Sequence, residues 1–221
     1  MTLGTPSQAA HPGRRAAQTA LAGLGLLAVV AAATVLRGPL LMSAPTCLAG
    51  RPHGCLDTFN GVLFVTLLGA PVALLTAWAL SRRRRAAGVS RAWLRSLAEV
   101  GMVYGTVPFV WLTTMPGSGA GVVPGRLSLV PLRDLATTGL PGIGGNLLVL
   151  AALGFFAPVR FAAVASLPRV LALGAAGSVL IETAQYVLRL DRVSSVDDVL
   201  VNATGALLAG LLSRPWWNRP G

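Results

Sequence analysis

The stretch FNGVLFVTLLGAPVALLTAWALSRRRR, Phe59 to Arg85, decides the fold class. From Phe59 to Leu80 it carries no charge, and four arginines then follow from Arg82 to Arg85. A helix that crosses the hydrocarbon core of a bilayer needs about 20 mostly apolar residues. Strands of a transmembrane barrel alternate apolar and polar positions, and this run does not. It reads as a membrane-spanning helix with a basic stop.

Five further runs have the same character, at residues 16–36, 97–115, 143–159, 168–188 and 199–213. With 59–80 they predict an all-α, polytopic helical transmembrane bundle of about six spans. The last run is short and carries Asn202, so it reads as a tilted, partial or re-entrant span. The whole chain agrees with this class. It is 54% apolar and 11% charged, where a soluble domain carries roughly 25% charge. A disordered tail is excluded on the same ground. The division expected is a tail over 1–15, a hairpin with an arginine-rich loop over 16–96, a transmembrane domain over 97–213, and a tail over 214–221. Arg14 and Arg15 before the first run, with Ala31 to Ala33 inside it, also fit a signal peptide. The apolar stretch, however, is longer than the ~7–15 residues of a secretory core.

The formal charge is +11, and every basic residue is arginine. A basic chain suggests nucleic acid, but no patch interleaves basic and aromatic residues here, so no nucleic-acid partner is expected. The placement of the arginines is more informative. Cytoplasmic loops hold the excess of Lys and Arg. The 81–96 loop contains six arginines, and six spans then place twelve arginines inside and six outside. Both termini are expected in the cytoplasm of a multi-pass cell-membrane protein. Trp216 and Trp217 are expected at the inner interface. The four-arginine run reads as an orientation anchor or as a lipid-recognition patch. Glu99, near the inner end of its span, is expected to pair locally with Arg95.

Cys47 and Cys55, the only cysteines, fall in the expected outer loop, 38–58. A disulfide closing that loop is the favoured reading, with two free thiols as the alternative. His11 and His53 are isolated, so no metal-ligand set and no cofactor are expected.

The scarce acids mark a candidate site. An ionisable group inside a span is costly and points to function. Glu182 lies in the fifth run, and Asn146 and Asn202 lie about one turn into the fourth and sixth. Gly174, Ser178, Glu182, Gln185 and Arg189 recur at helical spacing and share one face. So do Asp198, Asn202, Gly205 and Ala209. Small residues let helices approach and turn the polar groups toward the bundle. The candidate ligand-binding residues are Asn146, Glu182, Gln185, Arg192, Asp197, Asp198 and Asn202. Three readings follow. The cluster is structural, with Glu182 paired to Arg189 or Arg192. Or it is an outward-open pocket for a ligand or lipid headgroup. Or it is catalytic, with Glu182, Asp197, Asp198 and Asn202 as oxygen ligands suited to a hard cation. No nucleophile–base pair or phosphate loop accompanies the last. A transporter is disfavoured because no inverted repeat is visible and the charges sit on one side.

SVLIETAQ at Ser178–Gln185, followed by RVSSVDDVLVNATGALLAG at Arg192–Gly210, resembles the VanZ-like family. That family has Ser-x-x-x-Glu-x-x-Gln, then an Arg, an acidic pair and Asn-x-x-Gly-x-x-x-x-Gly. Val130-Pro131, Asn146, Gly154 and Pro158 are similar to its upstream motif. The resemblance covers Leu127 to Gly210. Ala152 stands where the family often has proline, Leu132 where phenylalanine often follows the proline, and Ser195 where an acid often precedes the pair. The family is named for a membrane protein linked to resistance against glycopeptide antibiotics, chiefly teicoplanin. The resemblance implies no established enzymatic activity, cofactor or partner. The partners expected from the residues are membrane lipids, with a cell-envelope lipid, a peptidoglycan precursor or an antibiotic at the polar site.

The orientation is directly testable. A cysteine introduced by Ala87→Cys in the arginine-rich loop should resist an impermeant maleimide applied to intact cells and react after permeabilisation. Labelling from outside would invert the topology.

Overall fold

In hydrocarbon no water reaches backbone N–H and C=O groups, so an apolar run must satisfy them within itself, as a helix. The computed structural model of the chain describes residues 36–217 without interruption, together with residues 23, 26, 27 and 29–34. Arg14, Arg15, His11, Arg219 and much of the expected first span lie outside the described residues. Among the described residues the helices are α1 (Val29–Leu48), α2 (Phe59–Ala86), α3 (Ala92–Thr113), α4 (Leu140–Val149), α5 (Ala151–Arg160), α6 (Leu167–Val187) and α7 (Val196–Ser213). Two three-residue strands, β1 (Arg126–Ser128) and β2 (Val193–Ser195), pair in parallel with Arg126 opposite Val193.

Five of these segments are long and apolar enough to cross a membrane: α1, α2, α4 with α5, α6, and α7 with its 3₁₀ extension to Trp216. The remaining expected span, 97–115, is α3, whose apolar content is diluted by Arg95, Glu99, Tyr104 and Pro108. It still packs between α2 and α5. Helix α7 is longer than its apolar run. It begins at Val196 because the Ser195 hydroxyl caps it, accepting from the Asp197 N–H at 3.1 Å, and Asp197 and Asp198 occupy its first turn. Both features favour a helix start. The expected 143–159 span is broken at Leu150, which belongs to neither α4 nor α5. Ala152 therefore sits in the first turn of α5, where proline is also tolerated. The break does not require the proline that this position lacks.

The start of the chain also differs from expectation. Helical structure continues past Arg37 through a π-turn at Pro39–Ser43 and on to Leu48. An arginine ends an apolar run on paper, but its long stem lets the charge reach out while the helix goes on. The outer loop shrinks accordingly. Cys47 lies at the helix end, joined by a disulfide to Cys55 in the loop.

Helix α7 is the central element and contacts α4, α5 and α6. Glycine makes this possible. A Cβ on Gly205 would lie 1.9 Å from the Leu147 carbonyl oxygen, and one on Gly154 would lie 2.1 Å from that of Ala206. The backbones are thus in direct contact, which is how helices gain packing energy where lipid supplies no hydrophobic drive. Large apolar residues such as Leu180 and Leu212 are turned outward, 71% and 72% exposed, as an apolar solvent permits.

The arginine-rich end is tied together across helices. Arg84 donates to Glu99 Oε2 at 2.5 Å and to Ser96 Oγ at 2.8 Å, and Arg160 donates to Glu99 Oε1. The partners of Glu99 are therefore Arg84 and Arg160, from α2 and α5, and not Arg95. Trp217 does not face outward. It is buried with Ala98, Val159 and Val170, and its indole N–H donates to Ser213 Oγ at 2.9 Å. Trp216 is the exposed one of the pair.

Gly205→Ala and Gly154→Ala should each lower the thermal unfolding midpoint in detergent, by the equivalent of about 1–3 kcal/mol. Gly144→Ala, where a Cβ meets open space, should not. Equal behaviour of all three would contradict the packing described.

Candidate functional site

The end of the bundle opposite the arginine clamp is built on the α6–β2–α7 connection. The face predicted on α6 exists: Gly174, Ser178, Glu182 and Gln185 are all buried. Arg189 leaves it, because the chain turns there through left-handed backbone at Arg189 and Asp191 (φ 51° and 57°). Arg189 is exposed. Glu182 makes no ion pair with Arg189 or Arg192 among the described residues. Its Oε2 accepts the Ser195 N–H at 2.9 Å, and its backbone carbonyl accepts the Ser194 hydroxyl at 2.8 Å. These bonds fold β2 back against α6.

The segment between α3 and α4 is laid over this connection. The N–H of Gly117 donates to Leu190 O and that of Gly121 to Arg189 O, both at 2.9 Å. Asp191 accepts the Gly119 N–H at 3.0 Å and pairs with Arg126 at 3.2 Å. Further along, Asp197 accepts three backbone N–H groups, from Leu132 at 2.5 Å, Asp134 at 2.9 Å and Leu135 at 3.0 Å. Leu132 has φ 65°, a conformation rare for a bulky residue, and the bond to Asp197 is what holds it there. Asp134 in turn accepts the Ser195 hydroxyl at 2.7 Å. Hydrogen bonds from Ser128 and Ser195 hold the Asp134 carboxyl below the usual carboxylate range. A carboxylate thus reaches Ser195, the position where the resemblance led one to look for an acid, from a remote loop.

The result is an open cavity of about 290 Å³ lined by Thr113, Gly117, Arg126, Asn146, Glu182, Gln185, Asp191, Arg192, Val193, Asp198 and Asn202. Six of the seven predicted residues meet there. Asp197 does not, because its carboxylate is spent on the 132–135 backbone. Asn146 donates to Asp198 Oδ1. Gln185 donates to Thr113 O at 3.0 Å, and Arg192 Nε donates to Met115 O at 3.2 Å, so both brace the end of α3. Asn202, 2% exposed, donates to Ser178 Oγ at 2.8 Å. Its Oδ1 is buried without a hydrogen-bond partner.

Two charged residues of the cavity were not predicted, Arg126 and Asp191. No local period marks them. They meet, 65 residues apart in the chain, because β1 pairs with β2. With Asp197 turned away, the four oxygen ligands that the hard-cation reading needs do not converge. Among the described residues no three His, Cys, Asp or Glu side chains come together as a metal site.

The comparisons with known proteins bear on the same region. A family model described as VanZ/LLP1 matches residues 92–217, from the start of α3 to Trp217. No curated protein and no solved structure matches the chain.

Asp197→Ala should leave three backbone donors without their acceptor and cost about 3 kcal/mol. Limited proteolysis should then cut faster between Gly117 and Thr138. Asp197→Asn should not restore protection, since one amide oxygen cannot serve three donors. Wild-type proteolysis rates in both variants would remove Asp197 from this role.

Proposed function

The chain belongs to the VanZ/LLP1 family, and on that footing we propose that this integral membrane protein binds the headgroup of a cell-envelope lipid in its outward-facing polar cavity. The outward direction rests on the arginine excess at the other end, which belongs on the cytoplasmic side. The observation that carries the reading is Asn202 Oδ1, a buried acceptor without a donor among the described residues, in a cavity whose Glu182, Asp198 and Arg192 take part in no ion pair there. Leaving a polar group unmatched in a low-dielectric site costs about 1–3 kcal/mol. A bound polar group removes that cost.

A second feature favours an amphiphile. Beyond the β1–β2 pair lies an apolar groove of about 300 Å³ lined by Leu127, Leu129, Val179, Tyr186, Val196 and Val199, and Glu182 borders both spaces. Successive strand residues point to opposite faces. Arg126 and Val193 accordingly line the polar cavity, and Leu127 and Ser194 line the groove. A headgroup in one and the start of an acyl or prenyl chain in the other match this division. A peptidoglycan precursor carried on a lipid has the same two-part character. The alternative of a metal-dependent transferase or hydrolase draws no support from the carboxylates, because Asp197 serves the fold.

Native mass spectrometry of the protein purified in mild detergent should find one lipid retained per chain. Glu182→Gln and Asn202→Ala should each weaken that retention about tenfold, with unfolding midpoints measured alongside. Variants that lose stability while retaining lipid as the wild type does would reduce the cluster to a structural role.

A further inference from the structure

The charges in the cavity do not cancel. Arg126 is committed to Asp191. Among the described residues Glu182, Asp198 and Arg192 take part in no ion pair. Two carboxylates and one guanidinium are left for an occupant.

The hydrogen-bond inventory is more specific. Glu182 uses Oε2 on the Ser195 N–H, and no described residue donates to Oε1. Asp198 uses Oδ1 on Asn146, and no described residue donates to Oδ2. Asn202 Oδ1 is buried and unpartnered. The residues that line this cavity therefore carry three acceptors without a donor among the described residues. On the other side, Arg192 has only its Nε engaged, on Met115 O, which leaves its terminal nitrogens as donors. A primary ammonium carries three N–H donors and no acceptor. A phosphodiester beside an arginine accepts charge-assisted hydrogen bonds.

We infer that the ligand is a zwitterion, with a primary ammonium received by Glu182, Asp198 and Asn202 and a phosphate held by Arg192, as in a phosphoethanolamine lipid headgroup. This rests on the headgroup reading above and narrows it to one class. It also makes a sharp chemical distinction. A trimethylated ammonium has the same charge but no N–H to give. A glycerol headgroup has hydroxyls but no positive charge to offset the two carboxylates.

The full-length protein in detergent is titrated with phosphatidylethanolamine, its mono-, di- and trimethylated forms, phosphatidylglycerol, and soluble O-phosphoethanolamine, and bound ligand is counted by native mass spectrometry. Phosphatidylethanolamine should bind at least tenfold more tightly than phosphatidylcholine or phosphatidylglycerol, with affinity falling at each methylation. Asp198→Asn should flatten that series, and Arg192→Gln should weaken every phospholipid alike. The wild-type series alone decides the matter if a variant fails to fold. Equal binding of the ethanolamine and choline lipids, or preference for phosphatidylglycerol, overturns the ammonium while leaving a headgroup site. Binding of soluble O-phosphoethanolamine as tight as that of the lipid overturns the lipid source. Retention of no lipid at all overturns the headgroup reading itself.

Discussion

Everything at the polar end depends on one carboxylate that does not face the cavity. Asp197 gathers the N–H groups of Leu132, Asp134 and Leu135, and so fixes a long connection whose large apolar residues Leu127, Leu129, Val130 and Leu132 are exposed and do not hold it in a core. An anion at a helix N-terminus is already favoured. Here the same charge also satisfies a buried turn. With 132–135 fixed and Asp191 holding Gly119, the chain between them runs past β2 in register. That register brings Arg126 to Asp191 and closes one wall of the cavity. Remove the anchor and the wall has no reason to stand where it does.

The sequence was most readable where side chains repeat. The 3.6-residue period on α6 marked Gly174, Ser178, Glu182 and Gln185 as one face, and all four are buried. It failed at Arg189 because the helix has ended there, and left-handed backbone carries that residue out of phase. It also could not divide Asp197 from Asp198. Adjacent residues on a helix point about 100° apart, so one acid faces the loop and the other the cavity. Only the placement of a segment more than 60 residues upstream decides which. Arg126 and Asp191 were illegible for the same reason, since strand pairing across α4, α5 and α6 leaves no short-range signature. Glu99 shows the bias of local reasoning. Arg95 is one turn away in sequence, yet Arg84 and Arg160 offer two cations from neighbouring helices, and a carboxylate with two oxygens takes both.

The arginines therefore divide into two kinds. Arg84 and Arg160 are structural, joined through Glu99 so that α2, α3 and α5 share one ion cluster at the basic end. Arg82, Arg83, Arg85, Arg91 and Arg95 have no carboxylate partner among the described residues. The acids are divided as sharply. Glu99 and Asp197 hold the fold together from opposite ends, while Glu182 and Asp198 each spend one oxygen on the fold and keep one.

That partial spending is what motivates the headgroup reading. Ser194, Ser195 and Asp197, by contrast, are engaged by hydrogen bonds within the protein. A pair of half-used carboxylates beside an amide oxygen with no donor is a costly arrangement in an apolar bundle, since unmatched buried charge is opposed by desolvation. A ligand that completed it would remove that cost. The groups left over after the fold has taken what it needs, two carboxyl oxygens, one amide oxygen and one guanidinium, are the ones from which the proposed headgroup is argued. Gly205 of α7 lets α4 come within backbone distance, and Gly174 of α6 does the same for α6, so that Asn146, Glu182, Asp198 and Asn202 line one cavity.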